Sequence, residues 1–134
     1  MSGIGDGRLV LIVEDNERNL KLVRDLLEVH GFETAEARTG ADGLRVAADR
    51  RPALILMDIQ LPDIDGIETL ERLRGDERTA SIPVVALTAY AMSGDRRRLL
   101  AAGFDGYLDK PIDVVRFPAE VRVLLERAQL QEAT

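Results

Sequence analysis

Cysteine is absent from this sequence, and histidine occurs once, at His30. The first absence excludes disulfide frameworks, thiolate zinc sites and cysteine nucleophiles; the second all but removes a histidine-ligated metal. Tryptophan is missing too, and no stretch approaches the roughly 20 apolar residues that a membrane span needs. The opening Met1-Ser2-Gly3-Ile4-Gly5-Asp6-Gly7 has neither the basic start nor the apolar core of a signal peptide. A cytoplasmic setting without membrane insertion is therefore expected. Positive charge is scarce: 18 Lys and Arg face 24 Asp and Glu, for a net charge of −6. Phosphate contacts need positive surface, so nucleic acid is not an expected ligand. What remains is a chain of 134 residues, 46% of them apolar, enough for one hydrophobic core.

Two periodicities alternate along it. Leu9-Val10-Leu11-Ile12-Val13 is a short apolar run that ends in Glu14-Asp15, and Asn16 then reads as a helix N-cap. Leu20, Val23 and Leu27 follow at helical spacing until His30-Gly31 stops the pattern. The stretch from Phe32 to Ala37 alternates as an edge strand does, and Thr39-Gly40 opens a second helix that ends before Pro52. Ala53-Leu54-Ile55-Leu56-Met57 is the most continuous apolar run, closed by Asp58; a strand buried on both faces reads this way. A loop through Asp65-Gly66 precedes a helix carrying Ile67, Leu70 and Leu73. Ile82 to Leu87 gives a fourth strand ending at Thr88, residues 93–102 a fourth helix, and Tyr107-Leu108 a short fifth strand before Asp109-Lys110-Pro111. Asp113 is placed to cap a last helix running to about Arg127. The sum is an α/β fold of five strands and five helices with short connections, a three-layer sandwich on a parallel sheet.

Ligands of open parallel sheets bind at the carboxyl ends of the strands. Those ends carry Glu14-Asp15, Asp58, Thr88 and Lys110. Taken singly, each has a structural reading: acidic residues after strands cap helices, a threonine satisfies backbone groups, and a lysine before proline faces solvent. Taken together, three carboxylates, a hydroxyl and an ammonium converge on one rim. Lys110 is one of only two lysines beside 16 arginines, as a position needing a compact point charge keeps lysine. Clustered carboxylates without His or Cys suit a hard cation such as Mg2+, and a carboxylate can be a nucleophile toward phosphorus. The rim therefore points to phosphoryl transfer onto a carboxylate.

The motifs Glu14-Asp15-Asn16, Met57-Asp58, Leu61-Pro62 with Gly66, Ala86-Leu87-Thr88-Ala89 and Lys110-Pro111 resemble the receiver domain of two-component response regulators. The likeness covers residues 8 to about 127 and is strongest to stand-alone receivers of the DivK type, which act in cell-cycle signalling. The resemblance implies strand order 2-1-3-4-5. It implies Asp58 as phosphoacceptor from a histidine kinase or histidine phosphotransferase. Mg2+ would be held by Asp15, Asp58 and the backbone carbonyl of Gln60, with Glu14 acting through water. Thr88, with the amides of Ile59 and Ala89, and Lys110 would meet the phosphoryl oxygens. Thr88 and Tyr107 would form the switch, and the Lys110-Pro111 bond would be cis. Such a protein promotes its own Mg2+-dependent phosphorylation and dephosphorylation and is not a dedicated enzyme.

The expected division is a flexible start at 1–7, a receiver domain at 8–128 and a tail at 129–134. With no output domain in the sequence, a downstream protein effector or kinase is the expected reader, and a monomer or weak dimer the expected state. A flavin site would need a hydroxyl- and glycine-rich loop where Glu14-Asp15 stands. Dehalogenase-type phosphatases resemble Asp-x-Asp, but Gln60 fills the second place, and no P-loop lysine motif exists. The remaining alternative is an adaptor with a receiver fold that never turns over phosphate. Two departures from the family stand out: Ala53 replaces a frequent Asp, and Pro118, at about the fifth residue of the last helix, should break a hydrogen bond or make the first turn restart.

Overall fold

The structure, a computed structural model, describes residues 7–89 and 95–133. Five strands alternate with five helices. They are β1 Leu9–Val13, α1 Glu17–Val29, β2 Glu33–Ala37, α2 Gly40–Arg50, β3 Leu54–Asp58, α3 Gly66–Arg74, β4 Val84–Thr88, α4 Asp95–Ala102, β5 Gly106–Asp109 and α5 Phe117–Ala133. All pairings are parallel, in the order β2-β1-β3-β4-β5. The fold and strand order agree with the sequence reading.

Because successive strand residues point to opposite faces, the sheet makes two cores. Val10, Ile12, Leu54, Leu56, Val85 and Leu87 pack beneath Leu20, Val23 and Leu27 of α1 and Phe117, Val121 and Leu125 of α5. Leu11, Val13, Ile55, Met57, Val84 and Ala86 pack beneath Ala47 of α2, Leu70 and Leu73 of α3, and Leu99 of α4. Every residue of β3 is buried. Burying one such side chain contributes about 1.5–3 kcal/mol before the entropy of ordering it, so the strand that ends in Asp58 is firmly fixed.

Caps set where the helices begin. Asn19 N donates to Asn16 Oδ1 at 3.1 Å, Asp42 N to Thr39 Oγ1 at 3.0 Å, and Glu68 N to Asp65 Oδ1 at 2.8 Å. The start of α2 has a second anchor: Gly40 N and Ala41 N donate to the two carboxylate oxygens of Asp63, at 2.8 and 3.0 Å. This ties the loop after β3 to α2. At the opposite, amino end of the sheet Arg74 is a hub. Its guanidinium donates to the carbonyls of Ala80 (3.1 Å), Ile82 (2.6 Å) and Gly103 (3.4 Å), and to Asp105 Oδ2 (2.8 Å).

The structure differs from the sequence reading at the ends of α5. Asp113 caps a separate turn, accepting from Val115 N and Arg116 N at 3.0 and 3.1 Å, and the helix proper starts at Phe117. Phe117 N closes that turn on Asp113 O at 2.9 Å. Pro118 has no N–H to offer Val114 O four residues back, and the helix restarts at Phe117, one of the two outcomes the sequence predicts. At the far end α5 runs on to Ala133, past Arg127. The helix expected from Ser93 is described from Asp95, and Ser93 lies outside the described residues, as does 1–6 of the expected flexible start. Among the described residues no helix is long and apolar enough to cross a membrane.

Candidate functional site

Strand register builds the site. Val13 pairs with Met57, Asp58 with Leu87 and Thr88 with Asp109, so the residues that end β1, β3, β4 and β5 emerge on one rim. Lys110 N donates to Thr88 O at 2.9 Å, Ile59 N to Leu87 O at 3.3 Å, and Glu14 N to Ala37 O at 2.9 Å, which carries the ladder just past the strand ends. Gly66 allows the next helix to start against this rim. A Cβ there would lie 2.9 Å from both Asp58 O and Ile59 Cα, closer than side-chain carbons approach backbone.

Lys110 is the centre of the charge arrangement. Its Nζ lies 2.9 Å from Glu14 Oε1 and 3.1 Å from Asp58 Oδ2. The other oxygens are held by backbone: Asn16 N donates to Glu14 Oε2 and Gln60 N to Asp58 Oδ1, both at 3.1 Å. Glu14 is fully buried and Asp58 nearly so, whereas Asp15 is exposed. Burial pushes the Glu14 carboxyl above its ordinary range; the Lys110 hydrogen bond opposes that rise, and neighbouring Asp58 adds to it. For Lys110, burial works against the ammonium, but its bonds to Glu14 and Asp58 prevail and hold the pKa above the ordinary value.

Carboxylate oxygens of Glu14, Asp15 and Asp58 lie within 4.8 Å of one another. Oxygen-only donors at this spacing fit one hard cation such as Mg2+. A small cavity of about 210 Å³ opens beside Asp58, lined by Gln60, Thr88, Ala89, Lys110 and Arg98. A larger cleft, about 600 Å³, lies at the other end of the sheet around Arg8 and Arg51, away from this converging chemistry. Thr88 is buried at the end of β4. Tyr107 is half-buried on β5, with Arg96 Cζ 5.3 Å from its ring centroid. The Lys110–Pro111 peptide bond is cis.

The structure thus brings Glu14, Asp15, Asp58, Gln60, Thr88 and Lys110 to one rim, and places Tyr107 two residues before its end on β5. Sequence reasoning did not single out Arg98 or the contact of Arg96 with Tyr107. Both lie on α4, whose Asp95-Arg96-Arg97-Arg98 stretch reads as an ordinary solvated face. The order of apolar residues gives no sign of which of these exposed arginines borders the Asp58 cavity.

A sequence model described as the response regulator receiver domain matches residues 10–122. The polar-differentiation response regulator DivK of Brucella anthropi is 48% identical over 116 residues, covering 87% of this chain and 94% of the relative. Among solved structures, the receiver domain of a sensor histidine kinase from Pseudomonas aeruginosa, crystallised with magnesium coordinated in its active-site cleft, superposes with a TM-score of 0.79. It is 35% identical and covers 91% of this chain and 97% of that one. A CheY-like receiver domain protein from Methanospirillum hungatei gives 0.83 at 28% identity, covering 94% and 99%.

Proposed function

The chain belongs to the response regulator receiver family, and from that premise we propose that it is a single-domain response regulator whose Asp58 takes a phosphoryl group from a phosphohistidine. The observation that carries this reading is Lys110 bridging Glu14 and Asp58 beside the exposed carboxylate of Asp15. An Asp58 oxygen attacks phosphorus, the P–N bond breaks, and its electron pair leaves on the imidazole of the donor. Lys110, already 3.1 Å from Asp58 Oδ2, follows the charge onto a phosphoryl oxygen. The Thr88 hydroxyl and the amide of Ala89 meet the remaining oxygens; the Ile59 amide, expected to join them, is turned to Leu87 O at 3.3 Å by the β-ladder. Asp15, Asp58 and the Gln60 carbonyl would hold the metal, with Glu14 acting through water. When bound, Mg2+ supplies neutralisation of charge on the phosphoryl oxygens.

The switch runs through Thr88 and Tyr107. Drawing the Thr88 hydroxyl toward phosphate opens space behind it, and the Tyr107 ring moves in. A few kcal/mol of differential interaction are enough to shift such a two-state balance. The donor is a histidine kinase or histidine phosphotransferase, the reader a downstream effector or kinase, and the setting cytoplasmic; a role in cell polarity or the cell cycle accords with the DivK relative. The test is phosphate uptake from acetyl phosphate with Mg2+, read by intact mass. Uptake that is lost in Asp58→Asn supports the reading. Undiminished uptake in that variant, or none in the wild type, favours an adaptor that uses the fold without phosphate.

A further inference from the structure

Helix α4 projects two of its arginines in different directions. Leu99 is fully buried in the second core, which fixes the rotation of the helix. Arg96 stands over the Tyr107 ring. Arg98 lies about 200° farther round, at about 100° per residue, and lines the cavity that holds Asp58, Thr88 and Lys110. All three arginines are exposed, and Arg97 is not among the residues lining that cavity.

The rim is short of positive charge. Three carboxylates face one ammonium, and that ammonium is shared between Glu14 and Asp58. With Mg2+ bound, the three carboxylates, Lys110 and the metal would sum to zero, leaving no surplus positive charge for the incoming phosphoryl group. Among the described residues lining the cavity, Arg98 is the one cation besides Lys110. Its planar fork can hold two oxygens of a phosphoryl group at once.

We infer that Arg98 is a second cation of the acceptor site, meeting the phosphoryl group from the α4 side and favouring doubly charged donors. The inference rests on Asp58 being the acceptor. With acetyl phosphate, an Asp58 oxygen forms the new P–O bond, the P–O bond to the acyl group breaks, and its electron pair leaves on acetate. Arg98 takes no proton in this step; it offsets charge on the non-bridging oxygens. Its effect therefore scales with donor charge, which is higher for acetyl phosphate than for phosphoramidate at neutral pH.

The experiment compares uptake rates with these two donors in Mg2+ for the wild type, Arg98→Ala, Arg98→Lys, Arg97→Ala and Asp58→Asn, with circular dichroism to establish equal folding. Alanine suits an exposed helical position. Arg98→Ala is expected to lose about three- to fivefold in kcat/KM with acetyl phosphate, the scale of a partly exposed charge pair, and less with phosphoramidate. Arg98→Lys keeps the donor preference, and Arg97→Ala, with the same change in net charge, matches the wild type. Equal losses for both donors, an equal loss in Arg97→Ala, a preference lost in Arg98→Lys, or no loss at all would each overturn the role. Failure of the wild type to take up phosphate, or uptake by Asp58→Asn, removes the acceptor assignment itself and this inference with it.

Discussion

Lys110 Nζ and Glu14 Oε1, 96 residues apart in sequence, meet at 2.9 Å in the rim of the sheet. The pair joins β5 to β1 across the two strands between them and places a cation where Asp58 needs one.

Removing that cation leaves two buried carboxylates facing each other. Lys110→Ala should lower stability by about 1–3 kcal/mol, the cost of leaving buried polar groups without partners, as read by chemical denaturation. Lys110→Arg should keep most of the stability but fail to transmit phosphorylation, because a fork replaces a point charge in a cavity of about 210 Å³. Partner capture by the beryllofluoride-loaded Arg variant at wild-type strength would count against this.

Glu14 carries a pH signature. Its folded pKa lies above the ordinary 4.5, so the folded state holds this proton more tightly than the unfolded chain does. The stability it contributes is complete below the ordinary value and fades as pH rises through the raised folded one. Glu14→Gln in metal-free buffer should therefore melt no lower than the wild type at neutral pH and lose any advantage in acid. A lower melting temperature at pH 7 would show that the ion pair with Lys110 outweighs burial.

Asp63 behaves in the opposite sense. Hydrogen bonds from the amides of Ala41, Gly40 and Ile64 hold its carboxyl down at about 2. Its contribution is present above the ordinary value of 3.8 and is lost as pH falls toward about 2. Asp63→Asn should speed amide exchange at Gly40 and Ala41 at neutral pH, since only one oxygen remains to accept. Unchanged exchange at both amides would mean that Thr39 alone holds the start of α2.

Metal binding should separate the two residues after β1. Asp15 is exposed, and no hydrogen bond to its carboxylate occurs among the described residues, whereas both Glu14 oxygens are engaged. Asp15→Asn should weaken Mg2+ by about tenfold or more, and Glu14→Gln by less. Isothermal titration giving the reverse order would reassign the ligand.

Gly66→Ala tests the approach of α3 to the rim. A methyl group 2.9 Å from backbone atoms of Asp58 and Ile59 forces a shift, expected to cost about 1–3 kcal/mol and to slow phosphate uptake. Wild-type uptake with wild-type stability would show that the loop yields freely.

Much of this was legible in the chain because strand interiors and strand ends carry different chemistry. The run before Asp58 is apolar without interruption, and the polar residues that interrupt or follow the other runs are those the parallel register brings together. The misread parts depend on information that periodicity does not hold. Gln129-Leu130-Gln131 looks like a polar tail, yet these are good helix formers and α5 simply continues through them. The restart of the last helix at Phe117, by contrast, is legible from Pro118 itself. Arg98 and Asp63 act on residues distant in sequence, Asp63 reaching 23 positions back to Gly40, and no local pattern marks such partners.

The Arg74 hub has a mechanical consequence. By holding the Gly103 carbonyl and Asp105, it fastens the carboxyl end of α4 to the static end of the sheet. The amino-terminal half of the helix bears Arg96, which stands over the Tyr107 ring, and Arg98, which borders the Asp58 cavity. Held at Gly103, the helix changes its tilt by pivoting about its carboxyl end. For the eight residues of α4, about 12 Å long, a tilt of about 10° swings the far end by about 2 Å. The displacement is thus amplified beside the Asp58 cavity and damped to nearly nothing at Gly103, so a small rotation reshapes the face around Arg96 and Arg98 while the Gly103 end stays in place.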